Sequence, residues 1–138
     1  MKIVEFLEDG AVSCTLKATT KEDAIRELVG ILVKTGSIKD KDVSTLIQIL
    51  LDREALGSTG IGQGVAIPHG KADCVNRVVG AVSISRTGLN FDSLDGEPVH
   101  IFFLLVAPKD SAGPHLKALA RISRLLKEKH FRDSLRAA

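Results

Sequence analysis

The run Gly57-Ser58-Thr59-Gly60-Ile61-Gly62-Gln63-Gly64-Val65-Ala66-Ile67-Pro68-His69-Gly70-Lys71 is where the chain passes from helix to strand. Four glycines and two hydroxyls within Gly57–Gly64 mark a loop whose backbone can approach another group closely. Val65-Ala66-Ile67 is a short apolar strand that Pro68 stops, and His69-Gly70-Lys71 follows at once.

Upstream, Ile3 to Leu7 reads as a short helical turn and Ala11 to Leu16 as a strand. Thr19-Thr20-Lys21-Glu22 is a helix start, a hydroxyl cap followed by an acid in the first turn. Ile25, Leu28, Val29 and Leu32 then share one stripe, and Gly36 closes the helix. A second helix starts near Asp40, carries Val43, Leu46, Ile47 and Leu50 on its apolar stripe, and ends around Leu56-Gly57. Arg53 stands in its last turn, where the helix dipole favours a cation.

Downstream, Val78–Ile84 (VVGAVSI) and Val99–Ala107 (VHIFFLLVA) are short apolar strands separated by the turn residues Leu94-Asp95-Gly96-Glu97-Pro98. A polar loop from Pro108 leads to Pro114, suited to the start of a helix that buries Leu116, Leu119, Ile122 and Leu125 or Leu126. A last short helix runs from about Phe131 to Ala137. Strands interleaved with helices on both sides of the glycine loop predict an α/β domain layered around one sheet. The short connection between the two strong strands favours a mixed sheet over a purely parallel one.

The 138 residues fit a single domain, 1–138, and are 44% hydrophobic and 26% charged, as in soluble globular proteins. A formal net charge of +2 gives no basic signature for nucleic acid. Cys14 and Cys74 make neither a disulfide framework nor a CxxC motif. The acidic start and the lack of a long apolar run predict no signal peptide, no membrane insertion and a cytoplasmic location.

Of the histidines His69, His100, His115 and His130, His69 has distinctive company, following an apolar strand at the strand end where α/β sheets place ligands. A neutral imidazole nitrogen is nucleophilic, and a pKa of about 6.5 keeps that form populated. A phosphoryl group in transfer needs mainly positioning and charge stabilisation. The backbone N–H groups of Gly60 to Gly64, the hydroxyls of Ser58 and Thr59, and the guanidinium of Arg53 are the candidate donors. His115, just after Gly113-Pro114, reads on spacing alone as a surface histidine near a cap. At a helix N-terminus it is also placed to hydrogen-bond a phosphoryl group on a second imidazole. Walker A and Rossmann readings fail, because Gly70-Lys71 is followed by Ala72 and the glycine loop opens a strand instead of a helix. No histidine or cysteine spacing suggests a metal, and no cofactor is implied. Cys74 reads as a small buried apolar residue more readily than as a nucleophile paired with His69. Lys117, Arg121, Arg124 and Lys127 form a basic stripe that reads as solvated surface, with an acidic partner as the alternative.

Arg53 through Lys71 closely resembles the signature of fructose/mannitol-type enzyme IIA domains of the phosphotransferase system, and Asp95–His100 with Ala107–Leu116 resembles that family's second motif. The resemblance covers essentially the whole chain, in order, and the two long motifs make it specific. The resemblance implies a three-layer α/β/α sandwich with a mixed sheet and a phosphotransferase that works through a phosphohistidine. His69 would be phosphorylated by the carrier HPr or its nitrogen-branch counterpart, with Arg53 and His115 flanking it and Ser58, Thr59, Gly60 and Gly62 as phosphate-binding candidates. The phosphoryl group would then pass to a IIB domain and an incoming sugar, or serve as a signal to regulated proteins. The compact chain and its Leu56-Gly57-Ser58-Thr59 sequence favour the nitrogen-type branch. A fructose/mannitol transporter component, a regulator that acts by binding alone, and a small-anion binding module are the alternatives.

Overall fold

The computed structural model describes residues 7–13, 15–110 and 112–137. In chain order the elements are β1 (Leu7–Ser13), α1 (Lys21–Lys34), a 3-10 turn (Asp40–Asp42) and α2 (Val43–Ala55). Then come β2 (Gly60–Gly62), β3 (Val65–Ala66), β4 (His69–Lys71), β5 (Val79–Leu89), β6 (Val99–Ala107), α3 (Ala112–Leu126) and α4 (Lys129–Ala137). The predicted helical turn over Ile3–Leu7 lies outside the described residues except for Leu7, which begins β1. Cys14 also lies outside them.

The sheet is mixed, in the order β1-β5-β6-β3-β2. β5 and β6 are antiparallel, while β1 on β5 and β3 on β6 are parallel. β4 also pairs with β6, and in the register of β3: Val65 and Ala66 stand opposite Ile101 and Phe102, and His69, Gly70 and Lys71 opposite Leu105, Val106 and Ala107. β3 and β4 are thus one strand interrupted at Ile67-Pro68. Pro68 has no N–H for a ladder, yet its carbonyl still accepts from Leu105 N at 3.0 Å.

Alternation along β6 divides the core. Phe102, Leu104 and Val106 pack beneath the apolar stripes of α1 and α2, with Ile25, Leu28, Leu32, Leu46 and Leu50. Ile101, Phe103, Leu105 and Ala107 face Ala118, Ile122 and Leu126 of α3, with Phe131 and Leu135 of α4 against them. Strands buried on both faces read as continuous apolar runs, which is why 99–107 was legible. The result is the expected three-layer arrangement of helices, mixed sheet and helices.

Thr20 caps α1, its side chain accepting from Asp23 N at 3.2 Å. β5 runs on past the apolar run to Leu89, where pairing with β6 resumes at Val99 after a shift in register. The glycine loop contains a β-hairpin, β2 to β3, whose turn puts Gln63 and Gly64 at positive φ. On α3 Ile122 and Leu126 are buried as expected and Leu119 is partly so, but the first turn of the predicted stripe differs. Leu116 is 67% exposed, and His115, Ala118, Ile122 and Leu126 are the buried positions.

Leu104→Ala should cost about 2–5 kcal/mol, the usual penalty for truncating a fully buried leucine. Leu56→Ala, at a position 86% exposed, should stay within about 0.5 kcal/mol of the parent. Urea unfolding of the two variants checks the assignment of core and surface.

Candidate functional site

The interruption in the β3–β4 strand shapes the site. The N–H of Ile67 bonds to Thr59 O at 3.0 Å, on the β2 side and away from β6. The carbonyl of Ile67 is left for a side chain, and the Nδ1 of His69 lies 2.7 Å from it. A carbonyl only accepts, so Nδ1 carries the proton and Nε2 holds the ring's free lone pair.

Gly70 lets α2 approach β4 closely. A Cβ there would stand 3.1 Å from Ile49 Cγ2 and 3.4 Å from Leu50 Cδ2, tight enough that these side chains would have to give. With α2 in place, Ile49 and Arg53, four residues apart on one helix face, both line the pocket that holds His69. The Arg53 guanidinium is tethered, Nη1 donating to Gly57 O at 2.8 Å.

The opposite wall comes from α3. His115 meets His69 edge to face, with ring centroids 5.6 Å apart and planes at 90°. It is 5% exposed, and neither ring nitrogen has a hydrogen-bond partner among the described residues. The surface histidine suggested by spacing is therefore a buried one. Burial, then His69 and Lys71 nearby, push its pKa down to about 4, so the ring is neutral near pH 7. Burial also holds the pKa of His69 below its ordinary value. The bond to Ile67 opposes that shift, Arg53 adds to it, and Glu54 opposes it. Two neutral imidazoles therefore face each other.

The pocket between them measures about 440 Å³ and is also lined by Lys71, Leu116 and Ala112 at the start of α3. Its charged lining residues are Arg53 and Lys71, both cations. Cations beside a helix N-terminus suit an anion. Among the described residues no cluster of His, Cys, Asp or Glu is arranged to hold a metal ion, and no helix is long and apolar enough to cross a membrane.

Arg53, His69 and His115, separated in sequence, thus meet in one pocket. Ser58, Thr59, Gly60 and Gly62 do not line it, and their neighbourhood is closely packed. Ser58 Oγ donates to Phe91 O at 2.6 Å and accepts from Gly60 N. Thr59 donates through N and Oγ1 to the Glu54 carboxylate. A Cβ on Gly60 would overlap Ser93, and one on Gly62 would press on Asp95. The glycines thus let the hairpin pack closely on the segment around Phe91 to Asp95. Cys74 is half-buried against the α1–α2 core, and it too is absent from the pocket lining.

Glu54 was not singled out from the sequence. It stands four residues after Leu50 on the buried stripe of α2, and an acid on an apolar stripe is the signal that would have found it. Ile49 and Leu116, also missed, are pocket residues whose apolar character reads from sequence as ordinary core.

The family described as the phosphoenolpyruvate-dependent sugar phosphotransferase system, EIIA 2, matches residues 5–138. A nitrogen regulatory protein of Bradyrhizobium diazoefficiens is 38% identical over 138 residues, covering 100% of this chain and 88% of that protein. The fructose-specific EIIABC component of Bacillus subtilis is 37% identical over 135 residues, 98% of this chain and 21% of that protein. The crystal structure of nitrogen regulatory protein IIA-Ntr from Neisseria meningitidis matches with a TM-score of 0.86 at 35% identity, covering 97% of this chain and 90% of that one. The chain belongs to the EIIA 2 family of the phosphoenolpyruvate-dependent sugar phosphotransferase system, a family of phosphocarriers.

Proposed function

We propose that residues 1–138 form one cytoplasmic phosphocarrier domain of the nitrogen-regulatory kind, which accepts a phosphoryl group on Nε2 of His69 from the phosphohistidine of an HPr-type donor. The observation that carries this reading is the bond from His69 Nδ1 to Ile67 O. It leaves Nε2 as the nucleophile in a pocket lined by Arg53 and Lys71.

In the transfer the Nε2 lone pair forms a bond to phosphorus, while the donor's P–N bond breaks and its electron pair stays with the donor imidazole. The proton on Nδ1 remains against Ile67 O. The phosphorylated ring then carries positive charge that this carbonyl stabilises, and a protonated ring is a good leaving group for onward transfer. Arg53 supplies a planar fork for two phosphoryl oxygens. His115, neutral and without a hydrogen-bond partner among the described residues, supplies one N–H to a third. Ser58, Thr59, Gly60 and Gly62 shape the turn beneath this pocket, and the phosphoryl contacts fall to Arg53, His115 and the start of α3.

Similarity to nitrogen regulatory proteins over the whole chain supports a regulatory use of the phosphoryl group. Similarity to a fructose-specific component over 98% of the chain supports the second reading, transfer to a IIB domain.

Incubation with phosphoenolpyruvate, enzyme I and HPr or its nitrogen-branch counterpart, followed by intact-mass measurement under non-acidic conditions, tests the proposal. One phosphoryl group is expected, absent in His69→Ala and retained at a slower rate in His115→Ala. The faster donor identifies the branch, and an unmodified folded protein with both donors would contradict the reading. A pH effect follows as well. With the pKa of His115 at about 4 when folded and 6.5 ordinarily, the unfolded chain binds more protons between these values. His115 therefore removes stability as pH falls from about 6.5 to about 4, and nothing further below that. Urea unfolding across this range should show a shallower loss in His115→Leu than in the parent.

A further inference from the structure

We propose that Glu54 is a positioning residue for the chemistry assigned above to His69, on which this inference rests, and that it acts through two hydrogen-bonded turns without touching phosphorus. Its side chain is 3% exposed, and a carboxylate so buried is tolerated only when paired and hydrogen-bonded. Lys21 Nζ lies 3.0 Å from Oε2. Thr59 N lies 3.2 Å from each carboxylate oxygen, and Thr59 Oγ1 donates to Oε1. Lys21 is itself held over the Phe91 ring, 4.8 Å from its centroid.

Two lines lead from this clamp into the pocket. Thr59 O accepts from Ile67 N at 3.0 Å, and the carbonyl of that same Ile67 accepts from His69 Nδ1 at 2.7 Å. The clamp thereby places the group that selects the histidine's tautomer. The turn between Glu54 and Thr59 also contains Gly57. Its N–H bonds to Glu54 O at 3.1 Å, and its carbonyl accepts from Arg53 Nη1 at 2.8 Å. The clamp thereby also places the acceptor that tethers the guanidinium. An apolar side chain at this position would leave both Thr59 donors without this acceptor. Among the described residues Lys21 would keep only Asp92, at 3.6 Å, as an anionic partner, and both carbonyls would be free to shift. Lys21 has a second part, since it neutralises an anion that would otherwise oppose a phosphoryl group nearby.

The test uses Glu54→Ala, Glu54→Gln and Thr59→Val in the full chain, with two readouts. One is the rate of phosphoryl uptake at varied concentrations of the phosphorylated HPr-type donor. The other is the ¹⁵N shifts of the His69 imidazole in unphosphorylated protein. Glu54→Ala should lower kcat about 10- to 100-fold, the range seen when outer partners of ligating histidines are removed, with KM for the donor little changed. His69 should pass from the single Nδ1–H tautomer to a mixture of the two. Glu54→Gln, whose amide oxygen still accepts from Thr59 though its NH2 cannot accept from Lys21, should recover both readouts in part. If Glu54→Ala does not fold, Thr59→Val, which removes one hydroxyl, should move both in the same direction. A folded Glu54→Ala or Thr59→Val with the parent's tautomer would overturn the proposal, whatever its rate. A parent protein that takes no phosphoryl group would overturn the function assigned to His69, while the imidazole shifts would still decide the part played by Glu54.

Discussion

The hydrogen bond between His69 Nδ1 and the carbonyl of Ile67 is the contact on which the arrangement of the site depends. It requires a strand that breaks and resumes in register. Pro68 supplies the break and β6 holds the register on either side of it. It requires a neighbour that stops short, and β2, paired to Val65 and Ala66 alone, leaves the Ile67 carbonyl unclaimed. It also requires a helix close enough to bring a cation, and the missing side chain of Gly70 admits α2 to that distance. Two of these conditions are met by residues whose chemistry is unusual for a strand: a proline without a donor and a glycine without a Cβ.

Electrostatically the pocket is prepared for an anion. Arg53 and Lys71 line it, both histidines are held toward their neutral forms, and the nearby buried acid, Glu54, is paired with Lys21. A phosphoryl group behaving like those on hydroxyl side chains would bring about −1.5 to −2 charge at neutral pH, comparable to the formal net charge of +2. Its arrival would neutralise the cations and remove the positive charge that a partner meets at this surface. Exposed Leu116 on the rim offers such a partner an apolar contact beside the changed charge.

Much of this was legible in the sequence because burial on both faces of a strand, and on one stripe of a helix, leaves patterns. The runs at 78–84 and 99–107 and the stripes of α1 and α2 follow from that periodicity, and the threonine cap of α1 from side-chain chemistry. What escaped depended on tertiary packing. The α3 stripe was read correctly at Ile122 and Leu126 but one residue late at its start, because His115 is buried where a leucine would be expected and Leu116 is exposed at the pocket rim. The glycine run was read as a loop whose backbone can approach another group closely, with a phosphoryl group as the candidate, whereas the group that Gly60 approaches is Ser93, within a hairpin. Glu54 was passed over because sequence alone does not show that Lys21, distant from it in the chain, and Thr59, across the turn that follows it, meet it in the core.

The most direct test of the account is a long-range ¹H–¹⁵N correlation, with phosphorus coupling, on the phosphorylated and uniformly ¹⁵N-labelled protein. Phosphorus bonded to Nε2 of His69, with Nδ1 still protonated, is the result that the geometry around Ile67 requires. Phosphorus on Nδ1 of His69, or on any other residue, would contradict it.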